Sequence, residues 1–144
     1  MMAQEDRARV LAAARSWLGT PFHDCAQVKG VGVDCANILA AVYAEAGLVP
    51  EVEIAAYSPQ FMLHSSEPLF ESYIRKFADE VEEAVVQPAD IVLYQVGRSF
   101  AHGAIIVDWP TKIIHAFKSF GRVAETGAFE ADLLGRKTKF FSIR

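Results

Sequence analysis

The chain has 144 residues, 52% of them hydrophobic, and a formal charge of −4. That is enough apolar material for one core, expected in one compact domain over residues 1–144. Acidic and basic residues are interspersed without a Lys/Arg stripe, which excludes the electrostatic footprint of a nucleic-acid or anionic-membrane partner. Cys25 and Cys35 are too few for a disulfide framework. With no C-x-x-C pair, no H-E-x-x-H helix and four dispersed histidines, neither a metal nor another cofactor is expected. The N-terminus is charged from the outset and lacks the apolar centre of a signal peptide, and no later run is long enough to insert in a membrane. The expectation is a soluble chain, made in the cytoplasm without an export signal of its own.

In chain order, residues 5–18 place Val10, Ala14, Trp17 and Leu18 on one helical face, with Gly19 as the stop. The stretch from Gly19 to Asp34 reads as a loop rich in turn residues, of the kind that borders sites. A second helix starts near Cys35 and carries Ile38, Leu39, Val42, Tyr43 and Ala46 before Gly47 and Pro50 end it. After a loop around residues 53–62, "SSEPLFESYIRKFADE" predicts a third helix with Ser66 as cap, Pro68 in the first turn, and Leu69, Phe70, Tyr73, Ile74 and Phe77 as its apolar stripe. The texture then changes to β-branched and aromatic runs, "QPADIVLYQV", "HGAIIVDW", "TKIIHAF" and "KTKFFSIR", which read as four short strands. Helices followed by consecutive strands imply an α+β fold, N-terminal helices packed on a C-terminal antiparallel sheet.

The chemistry concentrates at "GVGVDCANILAAVYAEAG". A thiol at a helix N-terminus meets unpaired backbone N–H groups and the positive end of the helix dipole, both of which lower its pKa and could hold an oxyanion. Asp34 fits the cap position before it. A small buried hydrophobe is the alternative role for Cys35. A thiol nucleophile also needs a proton partner. His102 opens the strand "HGAIIVD" beside Gly103 and Ala104, and His115 sits in the next strand. If residues 109–112 form an even-length hairpin loop, both histidines share a sheet face. Ideal strands would then leave them about four residues, roughly 13 Å, apart, so twist, stagger or a bulge must bring them together. His23 lies in the spacer, and His64 in a polar loop with no partner motif. Cys25 reads as a bystander, with a reversible bridge to Cys35 as the alternative.

These segments, "WLGTPF" into "GVGVDC", then "QPADIVLY", "HGAIIVD", "IIHA" and the terminal "FFSIR", resemble in order the NlpC-type cell-wall cysteine peptidases, compact relatives of papain. The spacer "VKGVGVDC" is most similar to the branch encoded with phage tails and gene-transfer particles. The resemblance implies a papain-like fold, with Cys35 as nucleophile, His102 as base and His115 orienting that base. It implies a substrate, the peptide stems of bacterial peptidoglycan, commonly cut between γ-linked D-glutamate and a diamino acid. It also implies phage tail proteins as partners, action at the cell wall after delivery by a particle or lysis, and Asp34, Phe22 and His23 near the substrate.

Three departures from the family pattern stand out. Phe22 replaces a usual tyrosine and cannot hydrogen-bond, leaving His23 to substitute or the contact absent. Ala36 and Asn37 replace the usual Ser and Gly after the nucleophile, and Ala89 replaces the common glycine of the turn before Asp90. Phe22, Ala36 and Asn37 motivate an alternative: a non-catalytic tail component or cell-wall-binding module on the same fold. Acyl transfer would use the same nucleophile and base.

Overall fold

The computed structural model describes residues 1–51 and 69–144. The expected loop at 53–62, His64, Ser66 and Pro68 lie outside the described residues. Helix α1 spans Gln4–Ser16, a two-stranded ribbon follows with β1 (Gln27–Val28) and β2 (Gly32–Val33), and α2 spans Cys35–Glu45. After α3 (Leu69–Arg75) come β3 (Ala78–Val81), β4 (Ile91–Val96), β5 (Ser99–Asp108), β6 (Lys112–Phe117), β7 (Arg122–Thr126) and β8 (Thr138–Ile143). These six strands form one antiparallel sheet in the order β3-β8-β4-β5-β6-β7. The architecture is α+β, with the helices on one face of the sheet. No helix among the described residues is long and apolar enough to cross a membrane.

Both faces of the central strands are covered, which is why β4 and β5 read as continuous apolar runs rather than alternating ones. Ile91, Leu93 and Ile105 join Ile38, Leu39 and Val42 of α2 in one cluster, while Val92, Tyr94 and Ile106 join Ile113, Leu133 and Phe140 in a second. Helix α2 is the central helix: every residue from Cys35 to Tyr43 is buried, as its apolar circumference requires. Helix α1 packs on it through Val10, Ala14 and Trp17, but Leu18, placed by the sequence on the same stripe, is 41% exposed. The reason is that α1 ends at Ser16 and the chain turns away.

Three further stretches depart from the sequence reading. The third helix, expected to run to Glu80, ends at Arg75, and residues 78–81 pair with the last strand through Ala78↔Ile143 and Val81↔Phe140. The C-terminal Arg144 causes this stop from afar, donating to the Arg75 and Lys76 carbonyls at 2.8 Å each and to Asp79 at 3.0 Å. Those carbonyls would otherwise be orphans of the helix end. Likewise "RVAET" is a strand, β7, paired along its length with β6, and the spacer loop contains the β1–β2 ribbon.

A buried ion pair sets α1 against the sheet. Arg7 reaches Asp90 at 2.9 Å and the Pro88 carbonyl at 2.8 Å, while Asp90 accepts the Gln87 N–H at 2.9 Å. The turn between them holds Ala89 at φ 78°, where a Cβ costs about 1–2 kcal/mol. Its carbonyl accepts the Tyr43 hydroxyl at 2.6 Å and its N–H reaches the Ile106 carbonyl at 2.7 Å. The turn therefore keeps its left-handed residue without a glycine.

Helix α2 approaches β5 most closely at Gly103. A Cβ there would lie 2.8 Å from Leu39 Cδ1, 3.0 Å from Phe70 Cζ and 3.1 Å from Leu93 Cδ2. The small residue beside His102 therefore makes room for the helices, not for access to the imidazole. Gly103→Ala is expected to destabilise the protein by about 1–3 kcal/mol through overpacking, read as a lowered urea midpoint with an unchanged slope. A midpoint equal to wild type would show that α2 can move aside.

Candidate active site

Helix α2 starts at Cys35 because Asp34 caps it from an extended backbone, its Oδ1 accepting the Asn37 N–H at 2.9 Å. The same oxygen accepts from the Asn37 side-chain amide at 2.9 Å, and Oδ2 accepts the Cys25 N–H at 2.7 Å. Gln27 closes the arrangement by donating to the Asn37 carbonyl and side-chain oxygen, at 3.1 and 3.2 Å. The Asp34 carboxylate is only 2% exposed. Its cap role is thus carried by three donors from the protein itself, and Ala36 and Asn37 face the interior.

Cys35 is buried, and its thiol donates to the Ala101 carbonyl at 3.5 Å. Burial, followed by the Asp34 charge, pushes the thiol up to about 12, against the N–H groups of Gly103, Cys35 and Ala36 that favour the thiolate. The lowered pKa expected from a helix N-terminus is therefore not realised in the resting protein. The helix tip is buried beside a carboxylate, and desolvation outweighs the amides.

His102 and His115 meet. His102 Nε2 lies 2.9 Å from His115 Nδ1, and His115 Nε2 lies 2.9 Å from the Thr126 hydroxyl. A register shift between Ile106 and Asp108 resolves the distance problem posed by the sequence. With Ile105 opposite Ile114, His115 faces Ala104, two residues along from His102 rather than four. Phe117 stacks on His115 at 4.9 Å between ring centroids and approaches His102 at 5.1 Å. Burial, then the neighbouring His115 and Arg136, holds His102 well below the usual histidine range, and burial takes His115 down to about 4. The resting site is a neutral thiol and two neutral imidazoles.

Cys35 and His102 line the same cavity of about 280 Å³, at the ends of the central strands β4, β5 and β6. Phe22, Val96, Ala101, Phe117 and Leu133 add apolar wall, and Lys118, Ser119, Asp132 and Arg136 add a polar one. Among the described residues the thiol's hydrogen-bond partner is Ala101, not His102. His115 lies behind His102, fully buried. Asp34 and His23 are not among the cavity's lining residues: the first is turned inward, and the second is exposed with Nδ1 3.0 Å from the Asp24 carbonyl. Cys25 is exposed, outside any disulfide, at φ 61°. Among the described residues no group of three His, Cys, Asp or Glu is placed to hold a metal ion.

The polar wall was not read from the sequence, because it comes from two short 3₁₀ turns, Lys118–Phe120 and Ala131–Leu133, and the residues after the second. Ser119 donates to Asp132 at 2.7 Å and Arg136 reaches the Gln95 carbonyl at 3.1 Å, which ties the two turns to β4. Thr126 was also missed. Only recognising "RVAET" as a strand would have placed it beside His115.

The geometry has solved counterparts. The peptidoglycan hydrolase RipB of Mycobacterium tuberculosis matches with a TM-score of 0.67 at 17% identity, over 98% of this chain and 66% of RipB. A Staphylococcus aureus protein described as similar to lipoprotein, of the NLP/p60 family, gives 0.68 at 14% identity, over 96% of this chain and 42% of its own. RipD of M. tuberculosis, a non-catalytic NlpC/p60 domain protein adapted to peptidoglycan binding, gives 0.59 at 16% identity, over 99% of this chain and 98% of its own. This chain spans less than two thirds of the first two. No family model matches the sequence, and no curated protein sequence does. The fold is that of NlpC/p60 domains, a papain-like α+β fold.

The depressed His115 pKa has a consequence for stability. Above pH 6.5 both the folded and the unfolded forms leave this imidazole neutral, and its contribution is fully present. As pH falls from 6.5 towards about 4, the unfolded chain takes a proton that the folded one refuses, so stability is lost. The drop to about 4 amounts to roughly 3 kcal/mol. Urea unfolding at pH 7 and pH 4 should therefore show His115→Gln losing less stability on acidification than wild type, by roughly that amount. Parallel losses in the two proteins would mean that His115 is not held neutral.

Proposed function

We propose that the chain is a cysteine peptidase that hydrolyses the peptide stems of bacterial peptidoglycan, at the bond between γ-linked D-glutamate and a diamino acid. The observation that carries this proposal is a buried thiol and a buried histidine facing one cavity, with a second histidine hydrogen-bonded behind the first. NlpC/p60 folds include peptidoglycan hydrolases such as RipB, which supplies the substrate class. Because thiol and imidazole both rest neutral, the Cys35 proton passes to His102 as the sulfur leaves Ala101 and attacks the carbonyl, not before. The tetrahedral oxyanion takes the Cys35 N–H at the helix tip. His102 then protonates the leaving amine, and an acyl-enzyme forms. In the second half-reaction His102 removes a proton from water and returns it to the sulfur. His115 orients His102 throughout.

A second reading, a wall-binding module without turnover, is favoured by the Cys35 hydrogen bond to Ala101 and by the absence of a hydroxyl on Phe22, and it has a counterpart in RipD. One experiment separates the two. Purified peptidoglycan is incubated with wild type and with Cys35→Ala, and soluble fragments are identified by mass. The peptidase releases new stem fragments, and Cys35→Ala abolishes release while still sedimenting with the wall. Sedimentation with no fragments from either protein would establish the binder, and fragments from both would remove Cys35 from the chemistry.

The proposed route to the wall is delivery by a phage-tail-like particle, with tail proteins as partners, or release on lysis. Immunolabelling is expected to find the protein on particles or outside cells. Label confined to the cytosol of intact cells would exclude both routes.

A further inference from the structure

We infer that Thr126 is a positioning residue that sets the tautomers of both histidines and so makes the cavity-side nitrogen of His102 a base. The inference rests on the peptidase proposal for its role, but its structural content stands on three consecutive hydrogen bonds. Thr126 Oγ1 lies 3.0 Å from the Gly127 carbonyl and 2.9 Å from His115 Nε2, and His115 Nδ1 lies 2.9 Å from His102 Nε2.

The direction of each bond follows from proton counting. A carbonyl oxygen only accepts, so the 3.0 Å contact with Gly127 is a hydrogen bond only when Thr126 donates its one hydroxyl proton there, the arrangement in which all three contacts are bonds. The hydroxyl oxygen must then accept from His115, which puts the His115 proton on Nε2. A neutral imidazole carries one N–H, so His115 Nδ1 is a lone pair. It accepts from His102, whose single proton is therefore on Nε2. The remaining ring nitrogen, His102 Nδ1, is unprotonated and able to take the proton of a thiol.

Reversing the first bond reverses them all. If Thr126 donated to His115 Nε2, the His115 proton would sit on Nδ1 and point at His102 Nε2. His102 would then carry its proton on Nδ1, an acid where the reaction needs a base. Two strands, β6 and β5, lie between Thr126 and the sulfur, yet the orientation of one hydroxyl decides the starting protonation of the site. Burial of both rings keeps each neutral, so the tautomer is the only freedom left.

Long-range ¹H–¹⁵N correlation spectra of protein labelled with ¹⁵N-histidine, recorded at pH 7, read this directly, with signals assigned by single His→Gln replacements. Both His102 and His115 are expected to be protonated at Nε2 and bare at Nδ1. In Thr126→Val, of nearly the same shape but without a hydroxyl, the two rings should show mixed or reversed tautomers. Release of peptidoglycan fragments should fall by about tenfold or more, since a wrongly protonated base has cost up to about 10⁴-fold in a serine triad. Thr126→Ser should restore both readouts. A wild-type His102 protonated at Nδ1, or a Val variant with unchanged tautomers, would overturn the inference. If Thr126→Val fails to fold, the wild-type spectrum and the Ser variant still decide. If no protein releases fragments while the spectra are as expected, the peptidase proposal falls and the tautomer assignment stands.

Discussion

The arrangement depends on one buried carboxylate. Asp34 is shut away from bulk solvent, and its oxygens are held by the Cys25 N–H, the Asn37 N–H and the Asn37 side chain. A buried acceptor left without donors would cost several kcal/mol, and this fixes both the start of α2 and the path of the spacer before it. The position of Cys35 at the helix tip follows. The same charge, however, works against ionising the neighbouring sulfur. The element that places the thiol thus adds to the burial that raises its pKa, and on the peptidase proposal the proton passes to His102 only as a substrate arrives.

On the peptidase proposal that transfer is possible because the two layers meet at the ends of the central strands β4, β5 and β6. Cys35 approaches from the helix face, close to β5 because Gly103 removes a side chain from the contact. His102 belongs to the other face, where His115, Phe117 and Tyr94 surround it. The cavity opens where these faces join, and both hydrophobic clusters contribute to its wall, Cys35 and Ala101 from one and Phe117 and Leu133 from the other. Polar chemistry sits at the margin, and the interior stays well packed.

How much of this was legible in the sequence depended on the range of the cause. Helix α2 and the strand character of β4, β5, β6 and β8 followed from local pattern, because their apolar runs are dictated by burial on one or both faces. The cysteine after Asp34 and the two histidines stood out by residue type and placement. Long-range causes were not visible. Helix α3 stops where Arg144 reaches back across 68 and 69 residues to take its last carbonyls, and β7 exists because β6 offers it an edge. The meeting of His102 and His115 needed a bulge between Ile106 and Asp108 that no local signal marks. The direction of the Cys35 pKa was misjudged for the same reason: helix position is local, whereas desolvation depends on what packs over it.

The cavity is built by two kinds of backbone. Its reacting side rests on α2 and β5, locked on several sides by the core. Its polar side, Lys118, Ser119, Asp132 and Arg136, rides on short turns between strands, anchored by the buried Leu133 and by a few polar contacts. Insertions and exchanges in such turns leave strand pairing untouched. Variation can therefore redraw which molecules are admitted while the machinery beneath is inherited intact, and a protein engineer can swap the rim without rebuilding the engine.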